Sequence, residues 1–299
     1  LRVCLVFEAK VLRLRTCVRA GVSGSFGSSG NLLRAEVPPF DATQQLTWES
    51  TGNEFLVWGA VNKLASLDNP QRIDSNRMTR SGGSQEELVV QNVDGLAAPS
   101  IIVDASQTHL AYALFDPDRP WYESTDIASL RSVDDGPWTQ VRIADDDAGD
   151  FSPQIVSADS TTDLATGSQI SGDVSGAKGP EEVFPHLEIA AAWFDRNTSQ
   201  WTAPVLLTNN SVLDREPHSL VFGSTRGIVW IQNESDALPG DALNPDRLMY
   251  SAWSGSDWSP PQTLWSDPKG ITRVAVATDG AGQAHVLFAV DEDGDLETP

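Results

Sequence analysis

The sequence predicts an all-β chain, an incomplete β-propeller of about four and a half four-stranded antiparallel blades. Three observations predict it. Helical periodicity is nearly absent, while short runs rich in Val, Ile, Leu and Trp recur between Gly, Asn, Asp and Pro. Those runs fall into one repeating order of four strands. Pro99, Pro153 and Pro217 open successive units, 54 and 64 residues apart, and Trp138, Trp201 and Trp258 open the fourth strands, 63 and 57 apart. Unequal steps with a constant order mean that the loops vary while the scaffold repeats.

Taken in order, residues 1–43 lie outside the repeat, as two or three strands followed by a Gly/Ser-rich linker at 21–30. A first unit, 44–96, holds the runs 45–48, 55–61, 77–80 and 88–93. The second, 97–150, holds 99–103, 109–115, 129–133 and 138–143. The third, 151–214, shows 153–158, 187–194, 200–202 and 205–207, and the fourth, 215–270, shows 218–222, 227–231, 247–253 and 258–265. A half-unit, 271–299, contributes 273–277 and 285–290. A sheet of four short strands cannot bury both faces alone, so neighbouring units must stack. Units of this size are short for separate sandwiches, which run to roughly 100 residues. The tryptophans opening the fourth strands are expected to cover the seams between sheets.

With 20 basic against 42 acidic residues the formal charge is −22. That charge repels nucleic acids and anionic membrane surfaces, and no apolar stretch is long enough to span a bilayer. Cys4 and Cys17 fit one cross-strand disulfide or two free thiols, so they leave the compartment open. The chain begins at Leu1 and stops at Pro299 in mid-pattern, which reads as a fragment of a larger multidomain protein.

The turn into one fourth strand reads Ser132-Val133-Asp134-Asp135-Gly136-Pro137-Trp138. It resembles the Asp-box, or BNR repeat, of bacterial sialidases, Ser-x-Asp-x-Gly-x-Thr-Trp, shortened by one residue. The turn from Ser251 to Trp258 keeps the Ser, Gly and Trp spacing but has Trp253 where the family has Asp, and the turn from Arg196 to Trp201 keeps little beyond the Trp. The resemblance implies a sialidase-like propeller, extracellular or at the cell surface, with the boxes on the face away from any active site.

Antiparallel alternation places the second-to-third loops and the links between units on one face. That face includes Asp116 to Arg119, Ala144 to Asp150, Gly172 to Phe184, Asp214 to Glu216 and Asn233 to Asp246, so it is acidic and carries the variable segments. Sialidase chemistry needs three arginines, a Tyr–Glu pair and an acid; Arg119, Arg215, Arg247, Tyr250 and Glu216 supply the types. No catalytic set is complete in the sequence. Asp291, Asp293 and Asp295, with Gly294, resemble the start of a calcium loop, with Asp145 to Asp147 and Asp150 as a second cluster. The four histidines, His109, His186, His218 and His285, share no ligand spacing. Two functional expectations follow. The first is a non-catalytic module binding a glycan or protein ligand on the acidic face, with calcium as the one cofactor to consider. The second is a glycoside hydrolase, of sialic acids or neutral glycans, on the same scaffold.

Overall fold

The computed structural model describes residues 99–290, apart from 117, 135, 144, 145, 235–237, 239 and 279–281, together with the strand backbones between 3 and 91. The chain is all-β. Strands β1 (Val3–Glu8) and β2 (Val11–Thr16) form a hairpin, and β3 (Ala42–Trp48), β4 (Glu54–Ala60), β5 (Arg72–Met78) and β6 (Ser84–Gln91) make blade 1. Blade 2 is β7 (Ser100–Val103), β8 (Gln107–Phe115), β9 (Thr125–Val133) and β10 (Thr139–Arg142). Blade 3 is β11 (Asp150–Ser157), β12 (Thr162–Ile170) and β13 (Leu187–Asp195), edged by the short β14 (Gln200–Trp201) and β15 (Val205–Leu206). Blade 4 is β16 (Leu213–Phe222), β17 (Thr225–Asn233), β18 (Asp246–Trp253) and β19 (Gln262–Asp267). The last sheet, blade 5, runs β2-β1-β21-β20, where β20 is Ile271–Thr278 and β21 is Ala284–Val290.

That last order differs from the expectation for residues 1–43. The half-unit β20–β21 leaves the outer edge of β21 open, and β1 pairs with it antiparallel, Val3 opposite Phe288 and Phe7 opposite Ala284. An unpaired edge is the liability that a propeller must cover. Other differences concern strand limits: β11 and β16 begin at Asp150 and Leu213, ahead of Pro153 and Pro217, and β19 begins at Gln262 rather than at Trp258. β5 begins at Arg72 rather than 77, and β12 was not anticipated, because Thr-Asp-Leu-Ala-Thr-Gly-Ser-Gln-Ile alternates no apolar side.

The first strands β3, β7, β11, β16 and β20 touch in succession, as the inner strands of radially stacked blades do. Four apolar clusters sit at the seams. Ile101, Leu110 and Leu130 of blade 2 meet Val90 of blade 1, and Ile102 and Ala111 meet Ile155 and Trp201 of blade 3. Leu164 and Ile189 meet Ile228, Trp230 and Met249 of blade 4, whose other face packs Val229, Ile231 and Leu248 on Val274, Val286 and Phe288. Trp201 also donates Nε1–H to Ser129 Oγ across the seam at 2.9 Å, and Trp258 stacks on Trp193 with centroids 6.3 Å apart. Close approach sets the residue at one seam position. A Cβ on Gly167 would overlap Cδ1 of Ile127 and lie 3.0 Å from the Phe151 carbonyl oxygen. Gly167→Ala is therefore expected to destabilise by about 1–3 kcal/mol in chemical denaturation.

Candidate functional site at the acidic rim

The inner strands enter the rim through bulges. Register shifts fall between Phe151 and Gln154 in β11, between Arg215 and His218 in β16, and between Ile271 and Arg273 in β20. In the first two, Ser152 (φ 55) and Glu216 (φ 52) adopt left-handed backbone just before Pro153 and Pro217. A proline lacks the N–H that a bulge would waste, and the extra residue re-aims a side chain. Left-handed backbone in a non-glycine residue costs about 1–2 kcal/mol and concentrates at working sites. The two bulges are copies of one motif, Asp150-Phe151-Ser152-Pro153 and Asp214-Arg215-Glu216-Pro217.

Strand register lines up the rim carboxyls. Asp150, Gln169 and Glu188 form one cross-strand row in blade 3; Asp214, Gln232 and Arg247 form its counterpart in blade 4. Most of these groups hold the scaffold. Asp214 accepts from Trp230 Nε1 at 2.7 Å, Asn210 Nδ2 at 2.8 Å and Gln232 Nε2 at 2.9 Å. Asp246 accepts from Asn233 Nδ2, from the Ile271 backbone N–H at 2.6 Å, and from Arg215 at 3.1 Å, tying blade 4 to blade 5. Asp126 pairs with Arg119 at 3.3 Å and Arg142 at 3.1 Å.

Two buried carboxyls are less satisfied. Asp150 lies 3% exposed, accepts from the Ile127 backbone, and has an Oδ2 without a partner. Burial, then Asp146 and Asp126, pushes it up to about 8, so it is protonated at neutral pH. Beside it lies a cavity of about 20 Å³ lined by Ile127, Ile143, Ala165 and Ala190, room for about one water. Glu188 accepts from the Asn210 N–H at 2.6 Å through Oε1, leaves Oε2 unpartnered, and is raised by burial.

Glu216 differs from all of these. Its side chain is 28% exposed, with Arg215 at 3.4 Å and Arg273 at 3.8 Å. Burial raises its proton affinity, and the two guanidinium groups only partly oppose the rise. Among the described residues, Glu216 alone combines a reachable rim carboxyl, left-handed backbone and a raised proton affinity. The same face exposes Trp121, 46% accessible and edge-on to Tyr122 at 5.5 Å. Residues 171–186 fold over this face in two short 3-10 turns, and Val174 and Val183 pack with Ile170, Phe151 and Tyr122.

The sialidase constellation does not assemble. Arg119 is engaged by Asp116 and Asp126, Arg215 by Glu216 and Asp246, and Arg247 by Glu234. Tyr250 lies mid-strand across Gly227, packed on the seam between blades 4 and 5 rather than at the rim. The turns that resemble Asp-boxes act as hairpins: Ser132 Oγ donates to the Gly136 carbonyl and Ser251 Oγ to that of Ser259, each at 2.7 Å. Asp291, Asp293 and Asp295 lie outside the described residues, as do Asp145, Cys17 and the Cys4 side chain. Among the described residues no group of three or more His, Cys, Asp or Glu is placed to hold a metal, and no helix is long and apolar enough to cross a membrane. Sequence reading missed Asp126, Glu188 and Trp121; only the repeated Asp-x-x-Pro signalled the row to which Glu188 belongs.

The fold recurs in solved structures. A protein of unknown function from Dyadobacter fermentans superposes with a TM-score of 0.55 at 10% identity, over 86% of this chain and 80% of that one. An endo-arabinase from Bacteroides thetaiotaomicron gives 0.50 at 12% identity, over 85% and 89%. An alpha-L-arabinofuranosidase from Fusarium graminearum gives 0.49 at 12% identity, over 74% of this chain; the chain spans 66% of that enzyme. No family model matches the chain, and no curated protein matches its sequence. The likeness shows a β-propeller fold and does not extend to the sialidase repeat family.

Proposed function

We propose that the chain is a glycoside hydrolase of neutral glycans, acting at the acidic rim with Glu216 as proton donor. The observation that carries this reading is Glu216 itself, a reachable carboxyl with raised proton affinity on a strained inner-strand bulge. A glycosidase needs one carboxyl that keeps its proton and a second that is ionised. Exposed Trp121 supplies a flat apolar surface on which a sugar ring stacks. The charge of −22 disfavours an anionic substrate. An endo-arabinase on this fold agrees with a glycan-directed role. The proposal carries with it an extracellular or cell-surface location.

Turnover of a panel of aryl glycosides and plant polysaccharides tests it. Glu216→Gln is expected to lower kcat about 10²–10⁴-fold with the fold intact, and Asp116→Asn and Asp146→Asn rank the exposed carboxylates as the ionised partner. A second reading, a binding module without turnover, is favoured by the saturation of Asp214 and Asp246, which leaves few free carboxylates. Retention on a glycan array, lost in Trp121→Ala, with no turnover of any substrate, would select it. Neither binding nor turnover would end both.

A further inference from the structure

Glu216 gives its two carboxyl oxygens different surroundings. Arg215 reaches Oε1 at 3.4 Å, and Arg273 reaches the same oxygen at 3.8 Å, so both cations crowd one side of the carboxyl. A protonated carboxyl keeps one oxygen as a good acceptor, and guanidinium N–H groups need an acceptor. Oε1 is that acceptor, and the proton belongs on Oε2. The two arginines are not equivalent. Arg215 is 13% exposed and is fixed in the seam of blades 4 and 5 by Asp246 at 3.1 Å and the Ile271 carbonyl at 2.9 Å. Arg273 follows the bulge of β20 and is 83% exposed, and its one ion pair among the described residues is with Glu216.

We propose that Arg273 is a positioning residue for the proton donor, holding Oε1 of Glu216 as an acceptor so that Oε2 carries the proton to the glycosidic oxygen. That role rests on Glu216 being the donor. Three charged groups act on the carboxyl: Arg215 of β16 and Arg273 of β20 favour its ionised form, and Asp246 of β18 opposes them, as burial does more strongly. A donor whose proton is held too tightly releases it too slowly in the transition state. A cation beside Oε1 offsets part of the effect of burial and fixes the orientation of the carboxyl. Exposed ion pairs contribute little to stability. Arg273 therefore stands where its removal changes the chemistry of Glu216 and leaves the fold alone, whereas removal of Arg215 would also free Asp246.

Arg273→Met and Arg273→Lys in the whole chain, with the Glu216 carboxyl followed by carbon-13 NMR, test it. In Arg273→Met the titration midpoint of Glu216 should rise by about half a pH unit, and in Arg273→Lys it should stay near the wild-type value. Arg226→Met, which removes a cation at the other end of β17, should leave the midpoint unmoved. On a glycoside that the wild-type chain turns over, Arg273→Met should lower kcat about 3–10-fold, keep KM within about twofold, and carry the alkaline limb of the pH profile upward by the same half unit. Lysine should restore the limb without the full kcat, because an ammonium lacks the planar fork that orients the carboxyl. Turnover lost in Glu216→Gln together with an unmoved midpoint in Arg273→Met, or an equal movement in Arg226→Met, would overturn this role alone. Turnover retained in Glu216→Gln would overturn the donor assignment, and the role of Arg273 with it.

Discussion

Asp150→Asn is expected to leave stability below about pH 4 almost unchanged and to raise it by about 5 kcal/mol near pH 9. The carboxyl rises from 3.8 to about 8 on folding. Between those values the folded chain keeps a proton that the unfolded chain has released, so stability falls as pH rises from about 4 to about 8. Asparagine preserves the acceptor for the Ile127 N–H and removes the titration. His218 acts in the other direction, because burial pushes it from 6.5 down to about 4. It stays neutral in the fold while the unfolded chain protonates, so stability falls as pH drops from about 6.5 to about 4. The two slopes oppose each other between about pH 4 and 6.5, so from these groups the wild-type curve is nearly flat there and falls above about 6.5, whereas the variant loses stability only on the acid side. Urea midpoints measured across this range decide it; parallel curves for the two proteins would refute the buried neutral carboxyl.

The second large effect is expected at Arg196. This side chain crosses the seam between blades 2 and 3, reaching Asp163 through Nε at 2.9 Å, Asp104 at 2.9 Å and Ser157 at 2.7 Å. Asp163 is wholly buried, so removing the guanidinium leaves a carboxylate with only His109 and Gln107 as donors. Arg196→Met should cost about 3–5 kcal/mol, or roughly 10 °C in melting temperature. The exposed pair of Arg226 and Asp159, 3.2 Å apart, provides the contrast. Arg226→Met should cost less than about 1 kcal/mol, because solvent screens both groups. Equal losses in the two variants would show that burial does not set the value of these pairs.

Much of the scaffold is written in local residue choice. Pro153 and Pro217 mark the bulges inside β11 and β16, and Trp201 and Trp258 sit at blade seams where a large side chain was expected. β12 is illegible for a physical reason. Eight of its nine residues are buried, yet Thr166, Gly167 and Ser168 are small or polar, since the neighbouring blades approach too closely for larger side chains. β9 is half visible: Thr125 and Asp126 look like loop residues, yet both are buried in the β8–β9 ladder, and Arg119 and Arg142 pair with Asp126. The acidic face follows from strand alternation alone. Which of its carboxyls are consumed does not, because Trp230, Asn233 and Ile271 engage Asp214 and Asp246 only after distant segments meet. Glu216 was named for its residue type, in a sialidase role that its surroundings do not support. The exposure and backbone that single it out appear only in three dimensions.

The hydrogen-bonded seam between β1 and β21 joins positions more than 270 residues apart in the chain. Such a contact closes a very long loop, so it forms late and slowly during folding. On the ribosome β1 must wait, with one edge open, until β21 has emerged. That delay makes the first strands the natural point of capture for chaperones, and of mispairing with a second nascent chain.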